Sequence, residues 1–246
     1  HNPALSQITS NRIISDISSS QFYIENNELI RDESTFINFK IFLEEGWHTY
    51  WVNPGDSGYP VAIEWELPPG ISIGPITWPA PKRLPYGDLT NFGYSNEVTL
   101  ASSIKVSKEA SLGKKSIIAK ANWLVCSEIC IPEEGEFRLD VSILDKQNQD
   151  KSKSNYDHAS KKNNLNLPKQ LDALPSITQS KDLLTIYIPF KPNLNRDLNS
   201  IMEINKINNF KINFFPYESN LIINNSNQEV SILPNIISIK VKTKSD

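Results

Sequence analysis

The segment Phe137-Arg138-Leu139-Asp140-Val141-Ser142-Ile143-Leu144 gives the clearest indication of the fold, because apolar and polar residues alternate along most of its length. This period of two is typical of a β-strand whose buried face carries Phe137, Leu139, Val141 and Ile143. Earlier segments with strand-like patterns are residues 34–42, 61–65, 98–106 and 117–125. Prolines and glycines separate them, and no long segment has the period of a helix. The first part of the chain is therefore predicted to be a β-sandwich.

The composition changes sharply after residue 144. Residues 145–154 are polar and have no apolar period, which is typical of an exposed linker. We predict a first domain over residues 1–145, and a linker over residues 146–175 with room for a short helix before Pro168. Strand patterns return at residues 183–188, 210–215, 230–233 and 236–241. They predict a second, smaller β-sandwich over residues 176–246, so that the fold class is all-β.

Composition and charge exclude several classes of function. The 246 residues are 39% hydrophobic and 22% charged, which is enough apolar surface for a packed core. The net charge of −3 argues against nucleic acid as a partner, because phosphate binding needs a clustered basic excess. No apolar run approaches the roughly 20 residues that span a bilayer, so we predict no membrane insertion. The first residues also lack a signal-peptide pattern, which predicts a mature or cytosolic chain.

Cys126 and Cys130 are the only cysteines of the chain, and three residues separate them. Such a pair indicates a disulfide, a redox couple or half of a metal site. The three histidines, His1, His48 and His158, offer no second pair at zinc-ligand spacing. We therefore predict no metal and no cofactor. As a structural staple so short a ring would contribute about 2 kcal/mol, the low end for a disulfide, and the spacing alone leaves staple and redox couple equally open.

The charges near the pair in the sequence are acidic. Glu128, Glu133 and Glu134 are close to both cysteines, and no Lys, Arg or His lies within three residues of either. Negative neighbours disfavour a thiolate, so alkylation of the reduced pair is expected to follow a pKa above about 8. We expect a pair of this kind to react slowly with other disulfides until a partner protein docks.

Residues 55–60, Gly-Asp-Ser-Gly-Tyr-Pro, resemble the nucleophile loop of a serine protease. That chemistry needs a histidine base and an aspartate placed around the serine. Only His1 and His48 precede Ser57, and neither lies in a suitable motif. A turn between Pro54 and Pro60 is the simpler interpretation.

Motifs that occur in a fixed order along the first domain carry a family resemblance. They are residues 46–58 (GWHTYWVNPGDSG), 78–81 (WPAP), 91–94 (NFGY) and 123–133 (WLVCSEICIPE). The series resembles the N-terminal periplasmic domain of the thiol:disulfide interchange proteins DsbD and, more closely, ScsB. The resemblance covers residues 36–144. Residues 214–217 (FFPY) resemble the second immunoglobulin-like domain of the ScsB type.

The resemblance implies two immunoglobulin-like domains and a reductant shuttle in the periplasm, that is, a protein-disulfide reductase or its electron-carrier domain. Cys126 and Cys130 would be the redox pair, with Cys130 forming the mixed disulfide and Cys126 resolving it. The implied partners are the thioredoxin-like donor domain of a membrane thiol relay and a periplasmic disulfide isomerase-like acceptor. The second domain would orient or dock partners.

In the same family an aromatic cap loop covers the cysteines. Phe92 stands at the matching place, Tyr94 is the alternative, and Tyr50 corresponds to an aromatic residue near the site. Ordinary packing in the core or in a loop would explain the presence of these aromatic residues as well, Tyr50 in particular.

The chain also departs from the family. The cysteine spacing is shorter than in DsbD, which favours the ScsB type. No membrane relay or thioredoxin-like domain is present in the sequence, so we expect either an excised domain or a free-standing periplasmic protein. A competing interpretation is a non-catalytic β-sandwich that binds a partner and carries a structural disulfide.

Overall fold

A computed structural model describes residues 7–26, 28–146, 174–189, 212–233 and 235–244. These residues form sixteen β-strands and no α-helix, which confirms the all-β prediction. The bounds are β1 Ile8–Ile14, β2 Ser18–Ile24, β3 Leu29–Ile30, β4 Ser34–Leu43, β5 His48–Gly55, β6 Ala62–Glu66, β7 Ile71–Thr77, β8 Lys82–Tyr86, β9 Leu89–Ser95, β10 Glu97–Val106, β11 Gly113–Cys126, β12 Cys130–Leu144, β13 Ser176–Ser180, β14 Leu183–Pro189, β15 Glu229–Leu233 and β16 Ile236–Lys242.

Two sheets build the sandwich. One has five strands in the order β1-β2-β4-β10-β7. The other has seven strands along the path β3-β12-β11-β5-β9-β8, with β6 beside β11. Aromatic rings join the two sheets: Phe22 of β2 lies 5.0 Å from Phe137 of β12, and Phe39 of β4 lies 5.5 Å from Trp123 of β11. The core therefore forms between the inner faces of the sheets, as the alternating pattern requires.

The predicted face of β12 is confirmed, since the side chains at positions 137, 139, 141 and 143 are all buried. The strands predicted at residues 34–42, 61–65, 98–106 and 117–125 are present as β4, β6, β10 and β11. β12 begins at Cys130, seven residues before the predicted start, because pairing with β11 extends the strand past Pro132 and Gly135. Eight strands were not predicted from the sequence, namely β1, β2, β3, β5, β7, β8, β9 and β13. Prolines or glycines interrupt the patterns of β5, β7, β8 and β9.

By compactness the chain divides into two units. The first comprises residues 1–52, 58–82 and 93–168, and the second comprises residues 53–57, 83–92 and 169–246. The described part of the second unit contains an antiparallel sheet in the order β13-β14-β16-β15. Leu184, Ile186, Ile239 and Val241 are its buried apolar residues.

Part of the predicted organisation falls outside the described residues. Most of the linker over residues 146–175 does so, including the segment with room for a helix. Of the strand predicted over residues 210–215, residues 212–215 are described and are not a strand. The domain boundaries at residues 145 and 176 stay predictions. Within the described ranges, the structure has no helix of a length and apolarity that would cross a membrane.

Candidate functional site

The two cysteines close the hairpin of β11 and β12. Its register runs from the pair Gly113 and Ile143 to the pair Cys126 and Cys130. The last pair is joined by a disulfide, with the Cα atoms 4.1 Å apart. The backbone N–H of Ser127 donates to the carbonyl of Ile129 at 2.9 Å and closes the loop. The long regular pairing of β11 with β12 thus fixes the position of both sulfurs at the end of the sheet.

The two halves of the disulfide differ in exposure. Cys126 is 1% exposed and is packed with Tyr50 and Leu124. Cys130 is exposed, and so is Ile129 just before it, with 64% of its surface accessible. A thiolate from another protein would therefore reach the residue Cys130 more readily than Cys126.

Tyr50 lies against the disulfide. Its hydroxyl is 3.8 Å from Cys130 Sγ, and its ring is buried in the cluster with Leu124 and Cys126. The hydroxyl of Thr49 donates to the carbonyl of Leu124 at 2.9 Å, which holds β5 beside β11. Gly58 comes so close to Tyr50 that a Cβ atom there would clash with the ring. Tyr50 is thus fixed between Gly58 and the cluster.

His48 is a neighbour of the disulfide that the sequence analysis missed. It is the Cα partner of Cys126 in the pairing of β5 with β11, and its ring lies 5.3 Å from that of Tyr50. Burial lowers the pKa of His48 below its ordinary value, so the imidazole is neutral at pH 7. No local signal reveals this contact, because only the pairing of two segments far apart in the chain creates it.

The register corrects the expected acidic surroundings. Glu133 pairs with Trp123 and Glu134 with Asn122, three and four pairs away from the disulfide, or about 10 Å and more along a strand. The carboxylate of Glu133 accepts hydrogen bonds from Ser15, Ser18 and Trp123 Nε1. Only Glu128 remains in the hairpin loop, where it is exposed. A neutral His48 and one solvated carboxylate therefore replace the three acidic neighbours expected from the sequence.

The remaining aromatic candidates have other contacts. The hydroxyl of Tyr94 donates to the carbonyl of Pro79 at 2.7 Å. Phe92 is fully buried, and its ring meets Phe215 at 5.1 Å within the second unit. Of the five residues predicted for the site, the structure thus brings together Cys126, Cys130 and Tyr50. The cap function of Phe92 and Tyr94 stays a prediction.

Residues 55–60 form a turn at the end of β5, and among the residues that the structure describes no histidine forms a hydrogen bond with Ser57. The hydroxyl of Ser57 donates to Asn91 Oδ1 at 3.0 Å. The carboxylate of Asp56 accepts from the backbone N–H of Thr90 at 2.8 Å and from the amide of Asn224 at 2.8 Å. These bonds tie the turn to its neighbours. In the part of the chain that the structure describes, no group of three or more His, Cys, Asp or Glu residues is placed to hold a metal ion.

Comparisons with known proteins bear on this geometry. The N-terminal periplasmic domain of ScsB from Proteus mirabilis matches with a TM-score of 0.61 at 15% identity, over 98% of this chain and 87% of that one. It has the same fold. The reduced N-terminal domain of DsbD from Neisseria meningitidis aligns with 55% of this chain and 84% of its own, at 12% identity and a TM-score of 0.31. A comparison with curated proteins gives no significant match.

A family model completes the comparison. The model described as the N-terminal part of the thiol:disulfide interchange protein DsbD matches residues 21–142, which include β11, β12 and both cysteines. The match and the bond between Cys126 and Cys130 together support a thiol–disulfide exchange domain. Residues 21–142 thus match the family of N-terminal domains of the thiol:disulfide interchange protein DsbD.

Proposed function

We propose that this chain carries electrons between proteins in the periplasm through the disulfide of Cys126 and Cys130. It takes them from a thioredoxin-like donor domain of a membrane thiol relay and gives them to a disulfide isomerase-like acceptor. The family match supports the exchange chemistry, and the matching domain of Proteus mirabilis ScsB is described as periplasmic. The second unit is proposed to orient or dock the partners.

The unequal exposure of the two cysteines is the observation that carries the proposal. In thiol–disulfide exchange a thiolate of one protein attacks a sulfur of the other, so the partner must be able to reach that sulfur. A donor thiolate attacks Sγ of the exposed Cys130 and forms a mixed disulfide, while Cys126 leaves as a thiolate and takes up a proton. The second donor thiol then attacks the donor sulfur of the mixed disulfide and releases reduced Cys130. Two electrons and two protons have entered the chain.

The transfer to the acceptor runs in the opposite sense. The Cys130 thiolate attacks one sulfur of the acceptor disulfide, and the other acceptor sulfur leaves as a thiolate. The Cys126 thiolate then attacks Cys130 Sγ, which reforms the disulfide and releases the acceptor as a dithiol. Tyr50 is proposed to support the Cys130 thiolate through its hydroxyl, which lies near that sulfur. Ile129 is proposed to supply an apolar docking contact.

A redox titration tests the proposal. The full chain is equilibrated with glutathione buffers and with a thioredoxin-like donor, and the fraction of reduced Cys126 and Cys130 is measured by alkylation and mass spectrometry. A relay disulfide should equilibrate with a potential well above about −300 mV. A potential below that value, with no reduction by the donor, would indicate the competing function, a binding module with a structural disulfide.

Trapping of the mixed disulfide tests the assignment of the two cysteines. In the variant Cys126→Ser the resolving thiol is gone, so a covalent complex with a disulfide-containing acceptor should accumulate on Cys130. The matched variant Cys130→Ser should give little complex, because its remaining thiol is buried. The reverse pattern, in which only Cys130→Ser is trapped, would assign the contact to Cys126. Non-reducing electrophoresis with peptide mapping measures both.

The cap prediction for Phe92 leads to a separate measurement. If this ring limits access to the cysteines, Phe92→Ala should speed the reaction of the disulfide with small non-cognate thiols. The contact with Phe215 would have to break for the ring to move. Phe137→Ala is the matched control, since it removes an equally buried ring that packs between Phe22 and Phe39. Both rates of reaction with small thiols are measured well below the melting temperatures of the variants. Equal rates would show that Phe92 has a packing function only.

A further inference from the structure

His48 lies beside the buried half of the disulfide. It is the first residue of β5 and the Cα partner of Cys126, the last residue of β11. Directly paired residues of antiparallel strands project from the same face, with Cβ atoms about 5 Å apart. The His48 ring meets the Tyr50 ring edge-on at 5.3 Å, and Tyr50 in turn packs in the cluster with Cys126. The imidazole and the Cys126 side chain therefore project from the same face of the sheet, on directly paired residues.

The Nε2 atom of His48 is buried, and none of the residues that the structure describes forms a hydrogen bond with it. A buried nitrogen without a partner costs about 1–3 kcal/mol. A disulfide has no proton to donate, whereas reduction places an S–H group on each cysteine. Reduction therefore creates an S–H donor on Cys126, the residue paired with His48, whereas the oxidised protein offers Nε2 no donor there.

We propose that His48 is the proton acceptor of the Cys126 thiol and thereby speeds the step in which Cys126 resolves a mixed disulfide on Cys130. The proposal rests on the exchange function proposed above, because only that function gives Cys126 a resolving step. Nε2 can accept the proton in the tautomer that carries hydrogen on Nδ1.

The step balances as follows. The Cys126 S–H proton moves to His48 Nε2 and leaves a thiolate next to an imidazolium ion. The thiolate attacks Cys130 Sγ, the bond between Cys130 and the partner sulfur breaks, and the disulfide of Cys126 and Cys130 forms. The electron pair leaves on the partner sulfur, which takes up a proton. The imidazolium returns its proton to solvent, so that His48 is neutral again.

The surroundings of His48 suit a neutral base. The titratable groups on the neighbouring strands and loops are Tyr50, Cys126, Tyr94, Glu44, Glu45 and Glu128. The three glutamates are exposed, and the Tyr94 hydroxyl donates to the Pro79 carbonyl. Burial is the cause that lowers the pKa of His48. The imidazole is therefore in its proton-accepting form at neutral pH.

A two-phase reaction of the reduced full-length chain tests the proposal. The protein is mixed in a stopped-flow instrument with an aromatic disulfide whose thiol product absorbs visible light. The first thiol released reports attack by Cys130, and the second reports resolution by Cys126. In the wild-type chain the second phase should have a nearly pH-independent rate from about pH 6.5 to about pH 8, and should slow where His48 becomes protonated.

Two variants remove the base. In His48→Gln and His48→Phe the second phase should be about tenfold slower or more at pH 7. Its rate should also rise about tenfold per pH unit, since hydroxide alone then removes the proton. The first phase should change by less than about twofold. Glutamine keeps a polar side chain of similar size, so His48→Gln carries the test if His48→Phe does not fold.

Lys120→Gln is the matched control. Lys120 lies on the same face of β11 as Leu124 and Cys126, and it forms an ion pair with Glu66. Its loss removes a basic side chain from this face and should change neither phase. A second phase in His48→Gln with the wild-type rate and pH profile would overturn the proposal. A wild-type second phase that rises about tenfold per pH unit across the same range would also overturn it.

The outcome is independent of the redox titration. The aromatic disulfide oxidises any accessible pair of thiols, so the two phases appear even if the chain exchanges with no thioredoxin-like donor. A failed titration with a His48-dependent second phase would refute the relay and keep the proton transfer. A successful titration with an unchanged second phase in His48→Gln would support the relay and refute the proton transfer to His48.

Discussion

Cys126 and Cys130 have the same side chain, but their positions in the hairpin give them different surroundings. Cys126 ends a strand that lies between β12 and β5, so neighbours cover it on both sides. Cys130 begins β12 at the turn and is exposed. Tyr50 adds a second difference, because its hydroxyl lies 3.8 Å from the sulfur of Cys130. A hydroxyl in this place can donate to a thiolate, and that interaction is stronger than one with a neutral thiol.

Replacement of Tyr50 by phenylalanine should therefore slow the chemistry of Cys130. In a Cys126→Ser background, Tyr50→Phe should reduce the alkylation rate at pH 7 about threefold, as expected for loss of a weak hydrogen bond to the thiolate. Iodoacetamide kinetics followed by mass spectrometry measure the rate. Tyr23→Phe removes a half-buried hydroxyl of β2 and serves as the control. Equal rates in the two variants would leave Tyr50 with a packing function alone.

The half-buried imidazole of His48 should make the stability of the chain depend on pH. Its pKa is lowered from 6.5 in the folded state, so the unfolded state binds more protons as the pH falls below that value. The free energy of unfolding should thus fall as the pH is lowered from about 7 to about 5.5. Above pH 7 the contribution of His48 should be constant. Urea unfolding of the wild type and of His48→Gln isolates the effect. Parallel pH profiles would contradict it.

At the scale of elements, three strands and a turn build the site. The ladder of β11 and β12 places the sulfurs, β5 brings Tyr50 and His48 beside them, and Gly58 closes over the Tyr50 ring. Gly58 has a φ of +90°, which other residues rarely adopt, and it has no room for a Cβ atom. The turn therefore requires glycine for two separate reasons.

Gly58→Ala and Gly113→Ala separate these two reasons. Gly113 has a φ of +97°, and no atom lies within 4 Å of the place that a Cβ atom would occupy, so its replacement has only the conformational cost of about 1–2 kcal/mol. Gly58→Ala has the same cost and a clash with the Tyr50 ring, and should lower the free energy of unfolding further. Denaturant unfolding of both variants measures the difference. Equal losses would show that the ring moves aside freely.

At the scale of the whole molecule, the second unit contains segments from distant parts of the chain. Asn53 illustrates how they are held: it is 3% exposed, and its amide donates to the carbonyls of Pro216 and Glu218 at 2.8 and 3.2 Å. Its Oδ1 atom accepts from the backbone N–H of Gly55 at 3.1 Å. The ring contact of Phe92 with Phe215 belongs to the same unit.

Loss of these bonds should be measurable. Asn53→Ala leaves the carbonyl of the buried Pro216 without this donor, which should lower the free energy of unfolding by about 1–3 kcal/mol. Asn225 is the matched control, because its exposed amide donates to the carbonyl of Asp88 at 2.8 Å. Asn225→Ala should change stability by less than about 0.5 kcal/mol. Calorimetry of both variants makes the comparison, and equal melting temperatures would contradict the structural importance of Asn53.

Local patterns in the sequence were enough to predict the all-β class, five strands of the first domain and the family. Alternating residues in β4 and β12 are a local signal, since a strand with one buried face needs a period of two. The ordered aromatic and cysteine motifs identified the family without any knowledge of contacts. The segments with prolines and glycines, such as β9, carried no such signal although pairing makes them strands.

The groups that surround the disulfide, in contrast, depend on the tertiary structure. The pairing of β5 with β11 brings His48 to Cys126, and the register of β12 carries Glu133 away from the sulfurs to Trp123. The different exposure of the cysteines also depends on which strands lie beside them. These features come from contacts between segments far apart in the chain, whereas local patterns report only whether a residue faces the core or the solvent.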